Sequence, residues 1–285
     1  MIDPGIKLVE CPRDAMQGWN KFISTGNKTR YINSLLKVGF DTIDFGSFVS
    51  ARAIPQMSDT KSVVEALRPP GKTKILAIVA NTRGAEEACA FEKTTHLGFP
   101  FSVSDTFQMR NTNSTVLQSW ARVEEIQKVC LKNGKHLVVY MSMGFGNPYG
   151  DPYSEEIVFA WVNKMVGLKI ETISLADTVG IANPDQVHSM TKYLISHLPQ
   201  TEIGVHLHSR ADNWKEKLEA AFTAGCRRFD GALKGIGGCP MANDELVGNM
   251  NTELMIDFFT ERKLLGGLNK VALEESLRIA SEIFS

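Results

Sequence analysis

Cysteine, long apolar runs and an excess of charge of either sign are all missing or scarce in this chain. Its five cysteines (Cys11, Cys89, Cys130, Cys226 and Cys239) are odd in number and far apart, and form neither a CxxC pair nor a disulfide framework. That usage points to a reducing cytosol, so the cytoplasm is the expected compartment. No uninterrupted apolar run approaches the ~20 residues a bilayer-spanning helix needs, so no membrane partner is expected. Lys and Arg number 31 against 32 Asp and Glu, for a formal net charge of -1. There is thus no basic field to hold nucleic acid and no acidic tail. The opening Met1-Ile2-Asp3-Pro4 is acidic and lacks an apolar core, so no secretion signal is expected. Gly/Ser-rich linkers and low-complexity tracts are also missing, and one catalytic domain over 1–285 is the expected organisation.

What is present is a strand-and-helix alternation from end to end. Apolar or β-rich runs fall at 6–11, 42–45, 74–80, 99–103, 137–143, 171–175, 202–207 and 227–233. Helical spacing fills several of the gaps, at 29–38, 114–131, 155–166, 184–198 and 213–224. Pro184 suits a first helical turn, and Asn183 before it suits an N-cap. Eight such runs in 285 residues predict an α/β (β/α)8 TIM barrel, and 253–285 reads as one or two closing helices. The competing open, doubly wound sheet usually carries a glycine-rich turn after its first strand. Here that turn reads Cys11-Pro12-Arg13-Asp14-Ala15-Met16, with no glycine.

Barrel chemistry sits where strands end, and the unusual polar residues gather there. Arg13-Asp14 follows the first run, and Asp44 and Ser47 close the second. Ser102, Ser104 and Asp105 close the fourth, Ser142 the fifth, and Asp177-Thr178 the sixth. His206 and His208 end the seventh and, two apart in a strand, point the same way. Two neutral imidazoles on one face are half of a divalent-metal site. The alternative is one packed and one solvated histidine. With Asp14 added from the first strand, two nitrogens and a carboxylate leave coordination positions open, as a catalytic ion requires. A sulfur-free set of this kind suits Mg²⁺, Mn²⁺ or Zn²⁺ and does not choose among them. After the eighth run, Gly235-Ile236-Gly237-Gly238-Cys239-Pro240 permits close backbone approach to a ligand. Cys239 there is either a proton-moving thiol or a small residue packed under a loop. The other four cysteines, in or beside strand and helix patterns, are expected to be buried and inert.

Five segments, taken in order, resemble the DRE-TIM metallolyase family. They are KLVECPRDAMQ at 7–17, SFVSARAIPQMSD at 47–59, ISLADTVG at 173–180, the histidine strand at 205–208, and GIGGCP at 235–240 with Gly248-Asn249 beyond it. The resemblance implies a metal-dependent carbon–carbon lyase that cleaves 3-hydroxy-3-methylglutaryl-CoA to acetyl-CoA and acetoacetate. A related aldolase or Claisen-type synthase, acting on another hydroxyacyl-CoA or 2-oxo acid, is the alternative. It further implies Asp14, His206, His208 and Asn249 as metal ligands, Arg13 as the stabiliser of an enolate oxygen, and Cys239 as a mobile acid/base thiol. Gln17, Asp44 and Thr178 would line or support the substrate site. The implied partner is a small-molecule acyl-CoA, and a homodimer is the assembly allowed for. The chain departs from the family in places. The 10–13 segment is one residue short and lacks a glycine, so Glu10 is not carried over. Asp44 stands where the family has a glutamate, Ser209-Arg210-Ala211-Asp212 follows His208, and the stretch from Cys239 to Asn249 is one residue longer.

Overall fold

The structure, a computed structural model, describes residues 5–69, 71–238 and 247–285. Its strands are β1 (Lys7–Glu10), β2 (Thr42–Ser47), β3 (Lys74–Ile78), β4 (His96–Ser102), β5 (His136–Ser142), β6 (Thr172–Ala176), β7 (Glu202–His206), β8 (His208–Ser209), β9 (Arg228–Gly231) and β10 (Gly248–Asn249). Its helices are α1 (Pro12–Gln17), α2 (Thr25–Leu35), α3 (Thr60–Ala66), α4 (Thr82–Cys89), α5 (Asp105–Thr112), α6 (Val116–Lys132), α7 (Glu155–Gly167), α8 (Pro184–His197), α9 (Trp214–Thr223), α10 (Thr252–Glu261) and α11 (Lys270–Ile283). Strands β1 to β7 and β9 run parallel and close in the order β1-β2-β3-β4-β5-β6-β7-β9. Closure comes from pairing of Lys7 with Arg228 through to Glu10 with Gly231. The expected TIM barrel is therefore present, and the open sheet is excluded. The two closing helices are α10 and α11.

The barrel strands bury both faces, as parallel strands covered by helices do; all six residues of β2 are buried. The main core lies between the barrel and its helices. A second apolar cluster, Leu76, Ile78, Val138 and Tyr140, packs apart from it. Tyr140 leans over Gly98, where an added Cβ would stand 2.9 Å from its ring. The helix starts follow the sequence signals. Asn183 caps α8 through a capping box with Gln186, and Pro184 sits in its first turn. Thr115 and Gln118 do the same for α6. No described helix is long and apolar enough to cross a membrane.

Candidate active site

The first site residues are set by a helix where the sequence reads as a turn. β1 stops at Glu10, and Pro12, with its missing N–H and fixed φ, opens α1 at once. Arg13 and Gln17, four residues apart, share a face of α1, and Arg13 Nη1 donates to Gln17 Oε1 at 2.8 Å. The same Nη1 donates to Asp14 Oδ1 at 2.9 Å, and Gln17 Nε2 donates to that oxygen at 2.8 Å. Toward the neighbouring strand β2, Arg13 Nε donates to Asp44 Oδ2 at 3.0 Å, and Nη2 donates to the same oxygen. A guanidinium carries five N–H donors, so these bonds fix the fork and leave one Nη2 hydrogen unspent. Asp44 does not end β2 as expected. It lies inside the strand, beside a register shift between Asp44 and Gly46, which aims it inward at Arg13.

The two histidines do not share one strand. β7 ends at His206, the ladder breaks at Leu207, and His208 opens β8, which pairs antiparallel with β10. The pairing partner of His208 is Asn249, so the short ribbon draws a further expected ligand alongside. The expected convergence survives the break. The imidazole centroids lie 5.4 Å apart, and ligand atoms of Asp14, His206 and His208 all fall within 4.8 Å of one another. Asn249 Nδ2 donates to Asp14 Oδ2 at 2.8 Å and to the Ile236 carbonyl at 2.9 Å. Gly237, at φ +101, is confined to glycine by the same approach, because a Cβ there would stand 2.6 Å from Asn249 Nδ2.

The polar atoms left over suit a cation. His208 Nε2 and Asn249 Oδ1 are buried without a hydrogen-bond partner. Such orphans cost about 1–3 kcal/mol each unless something binds them. Burial and the neighbouring His206 push the His208 imidazole down to about 4, so it stays neutral with a free lone pair. For His206, burial works against the imidazolium, but the Asp230 hydrogen bond and the charges of Asp230 and Asp14 outweigh it and raise the pKa. For Asp14, burial works against the carboxylate, but Arg13, His206 and His208 hold it below its ordinary value. Burial pushes Asp44 up to about 6, even with Arg13 opposing. Two nitrogens and two oxygens, one of them ionised, therefore fit a divalent ion.

A second layer holds these donors, and most of it escaped the sequence reading. His206 Nδ1 faces Asp230 Oδ2 at 3.4 Å, the carboxylate contact that orients metal-ligating imidazoles. That leaves Nε2 as the nitrogen free to ligate. Lys217, buried on α9, donates to Asp177 Oδ2 at 2.8 Å and to the carbonyl of His208 at 3.0 Å. Asp230 hides within a strand pattern and Lys217 within a helix pattern, so neither offered a signal. The expected substrate residue Thr178 is buried, but its hydroxyl accepts from Met143 N at 3.0 Å and so braces β5 against the β6 loop. Ser104 caps α5, and its hydroxyl donates to Asp151. Ser47 accepts from Val49 N. These rim serines build loops. Cys239 lies outside the described residues. Cys11, Cys130 and Cys226 are buried as expected, whereas Cys89 is partly exposed.

Metal-assisted catalysis is the class that this rim fits, with its paired imidazoles, oxygen donors and fixed guanidinium. The profile of the HMGL-like family matches residues 6–281. The chain belongs to that family, and it is an enzyme of the lyase class. It is 28% identical over 276 residues to "3-hydroxy-3-methylglutaryl-CoA lyase, cytoplasmic" of Homo sapiens, covering 95% of this chain and 73% of that protein. It is 29% identical over 272 residues to the (R)-citramalyl-CoA lyase of Chloroflexus aurantiacus, covering 92% and 85%. The solved HMG-CoA lyase of Acinetobacter baumannii, in complex with coenzyme A and 3-methylmalate, superposes with a TM-score of 0.92 at 30% identity, over 100% of this chain and 92% of that one.

Proposed function

We propose that this chain cleaves the carbon–carbon bond of 3-hydroxy-3-methylglutaryl-CoA, giving acetyl-CoA and acetoacetate. The observation that carries the reading is the convergence of Asp14, His206 and His208 within 4.8 Å, with Arg13 fixed beside them. The human and Acinetobacter relatives support the choice of substrate. The ligands assigned are Asp14, His206, His208 and Asn249. Four protein donors would close a tetrahedral Zn²⁺. Mg²⁺ or Mn²⁺, which take more ligands than these four residues provide, would still have room for a substrate hydroxyl and carboxylate, so Mg²⁺ or Mn²⁺ is the ion assigned. When bound, the ion supplies Lewis acidity toward those two groups.

The remaining roles fall to side chains. As the tertiary hydroxyl gives its proton to solvent and the C2–C3 bond breaks, the O–H pair forms the ketone of acetoacetate, and the pair of the broken bond moves onto the thioester oxygen. Arg13 offers its unspent Nη2 hydrogen to that growing charge without reorganising, because Asp14, Asp44 and Gln17 already hold the guanidinium. Gln17 keeps both Arg13 and Asp14 in place. Cys239 is assigned the thiol that moves a proton at the cleaved bond.

The test is to incubate the protein with Mg²⁺ or Mn²⁺ and a panel of 3-hydroxyacyl-CoA thioesters, following acetyl-CoA and the keto acid by mass spectrometry. The expected result is metal-dependent acetoacetate from 3-hydroxy-3-methylglutaryl-CoA. The (R)-citramalyl-CoA lyase relative favours a second reading, a smaller hydroxyacyl chain. Turnover of citramalyl-CoA alone would replace the first reading with this one, and no product from any thioester would end both.

A further inference from the structure

Beside the Asp14–His206–His208 group lies a second donor set, which shares His206 with it and adds a thiol that the lyase chemistry leaves unused. Cys11, Asp230 and His206 also bring ligand atoms within 4.8 Å of one another, all of them buried. Cys11 is 0% and Asp230 2% exposed. The Cys11 thiol makes only a 3.9 Å contact with the Val9 carbonyl. Asp230 Oδ1 is buried with no partner. Its Oδ2 meets His206 Nδ1 at 3.4 Å, too long for a strong hydrogen bond. Burial pushes the Cys11 thiol up, and the carboxylates of Asp230, Asp44 and Asp14 push it further. That negative field disfavours a bare thiolate and attracts a cation. The buried Arg228 guanidinium, which interacts with Asp230, opposes it from one side.

We propose that Cys11, Asp230 and His206 form a second metal site, for a thiophilic divalent cation of the Zn²⁺ or Cd²⁺ kind, and that filling it expels the ion held by Asp14 and His208. A thiolate, an imidazole and a carboxylate form a borderline-soft set, whereas the group above has no sulfur and suits hard ions. Binding is an ordinary exchange in which the cation bonds to sulfur and the thiol proton leaves to solvent. Exclusion follows from the imidazole itself. Neutral histidine has one nitrogen lone pair. When Nδ1, which faces Asp230, gives that pair to the cation at Cys11, the proton moves to Nε2, and His206 is lost to the ion at Asp14 and His208. This exclusion rests on His206 serving that ion as proposed above, whereas the sulfur site stands without it.

The test uses full-length, metal-free protein titrated with Cd²⁺. Ultraviolet difference absorption reports cadmium–thiolate bonding, and electron paramagnetic resonance reports displacement of bound Mn²⁺. Wild type and Cys239→Ser should both show the thiolate band, and in both Cd²⁺ should displace Mn²⁺. In Cys11→Ser and Cys11→Ala, each made in the Cys239→Ser background, the band should vanish, and the Cd²⁺ concentration for half-displacement should rise by at least the ~10–100-fold that loss of even an outer-shell partner costs. Should the Cys11 variants fail to fold, X-ray absorption of cadmium in the Cys239→Ser protein decides the matter, because the proposal requires a sulfur neighbour there. A band that survives in the Cys11 variants, or a cadmium shell without sulfur in Cys239→Ser, overturns the site. Sulfur binding that leaves Mn²⁺ in place overturns the exclusion and keeps the site.

Discussion

Arg13→Met removes the cation around which Asp14, Asp44 and Gln17 are arranged. Asp44 suffers most, because it is 0% exposed and its bonded oxygen receives only Arg13 donors. Breaking a buried pair from one side costs about 3–5 kcal/mol, since the remaining charge is left uncompensated. Protonation limits that loss. Burial already pushes Asp44 up to about 6, and without Arg13 it rises further. A carboxyl whose folded value lies above its unfolded value of ~3.9 contributes its full stability below that unfolded value and loses it as pH climbs through the folded one. The variant should therefore fall furthest behind wild type at about pH 8 and least at about pH 5. Arg13→Met/Asp44→Asn removes the stranded charge and should recover most of the stability at the higher pH. Neither variant should turn over well, because losing one preorganised donor costs roughly 10²–10³ in kcat. Urea denaturation at the two pH values, set beside kcat, reads both effects. A destabilisation under about 1 kcal/mol at the higher pH, or a double variant with restored turnover, would refute the argument.

Four further outcomes are expected. His208→Ala should abolish Mn²⁺ binding in isothermal titration while leaving the far-ultraviolet spectrum unchanged, and wild-type affinity would remove the metal site. Burial pushes Glu10 up to about 8, so its contribution is complete at acid pH and is lost as pH rises through about 8. Glu10→Gln keeps the shape of the protonated acid and should flatten the Tm-against-pH curve above neutrality, where parallel curves would show that Glu10 does not titrate. Lys217→Met strands Asp177 and should cost about 3–5 kcal/mol in urea, largely rescued by Asp177→Asn. Cys239→Ser should retain Mn²⁺ affinity yet lose most turnover, because a hydroxyl is a far weaker acid than a thiol; full kcat would reduce the cysteine to loop packing.

The barrel was legible because covered parallel strands are apolar on both faces and recur at barrel spacing. Boundaries were less so. β4 begins at His96, three residues before the apolar run suggests, since Gly98 and Pro100 both read against a strand. Its pairing partner on β5 overrides them, with Tyr140 filling the space a side chain at Gly98 would need. The short helices α3, α4 and α5 have too few turns for a clear apolar period. At the site, Asp14, His206 and His208 were visible as isolated polar residues at strand ends. The ribbon joining His208 to Asn249 was not, because Gly248-Asn249 carries no strand signal and pairs only through tertiary position. Asp230 escaped for the opposite reason: it lies inside a strand, on the inward side that no alternation marks in a fully buried sheet.

The bond from Asn249 to Asp14 spans 235 positions of sequence. Groups so far apart in the chain have no common neighbourhood once it unfolds, so an ion held between them binds the folded state alone. At one hundred times its dissociation constant, such an ion adds about 2.7 kcal/mol of stability by mass action. It would act as a clasp between the first helix and the ribbon that β8 and β10 form. Resistance of the two chain ends to proteolysis should therefore rise and fall together with ion concentration, giving a readout of occupancy that needs no substrate.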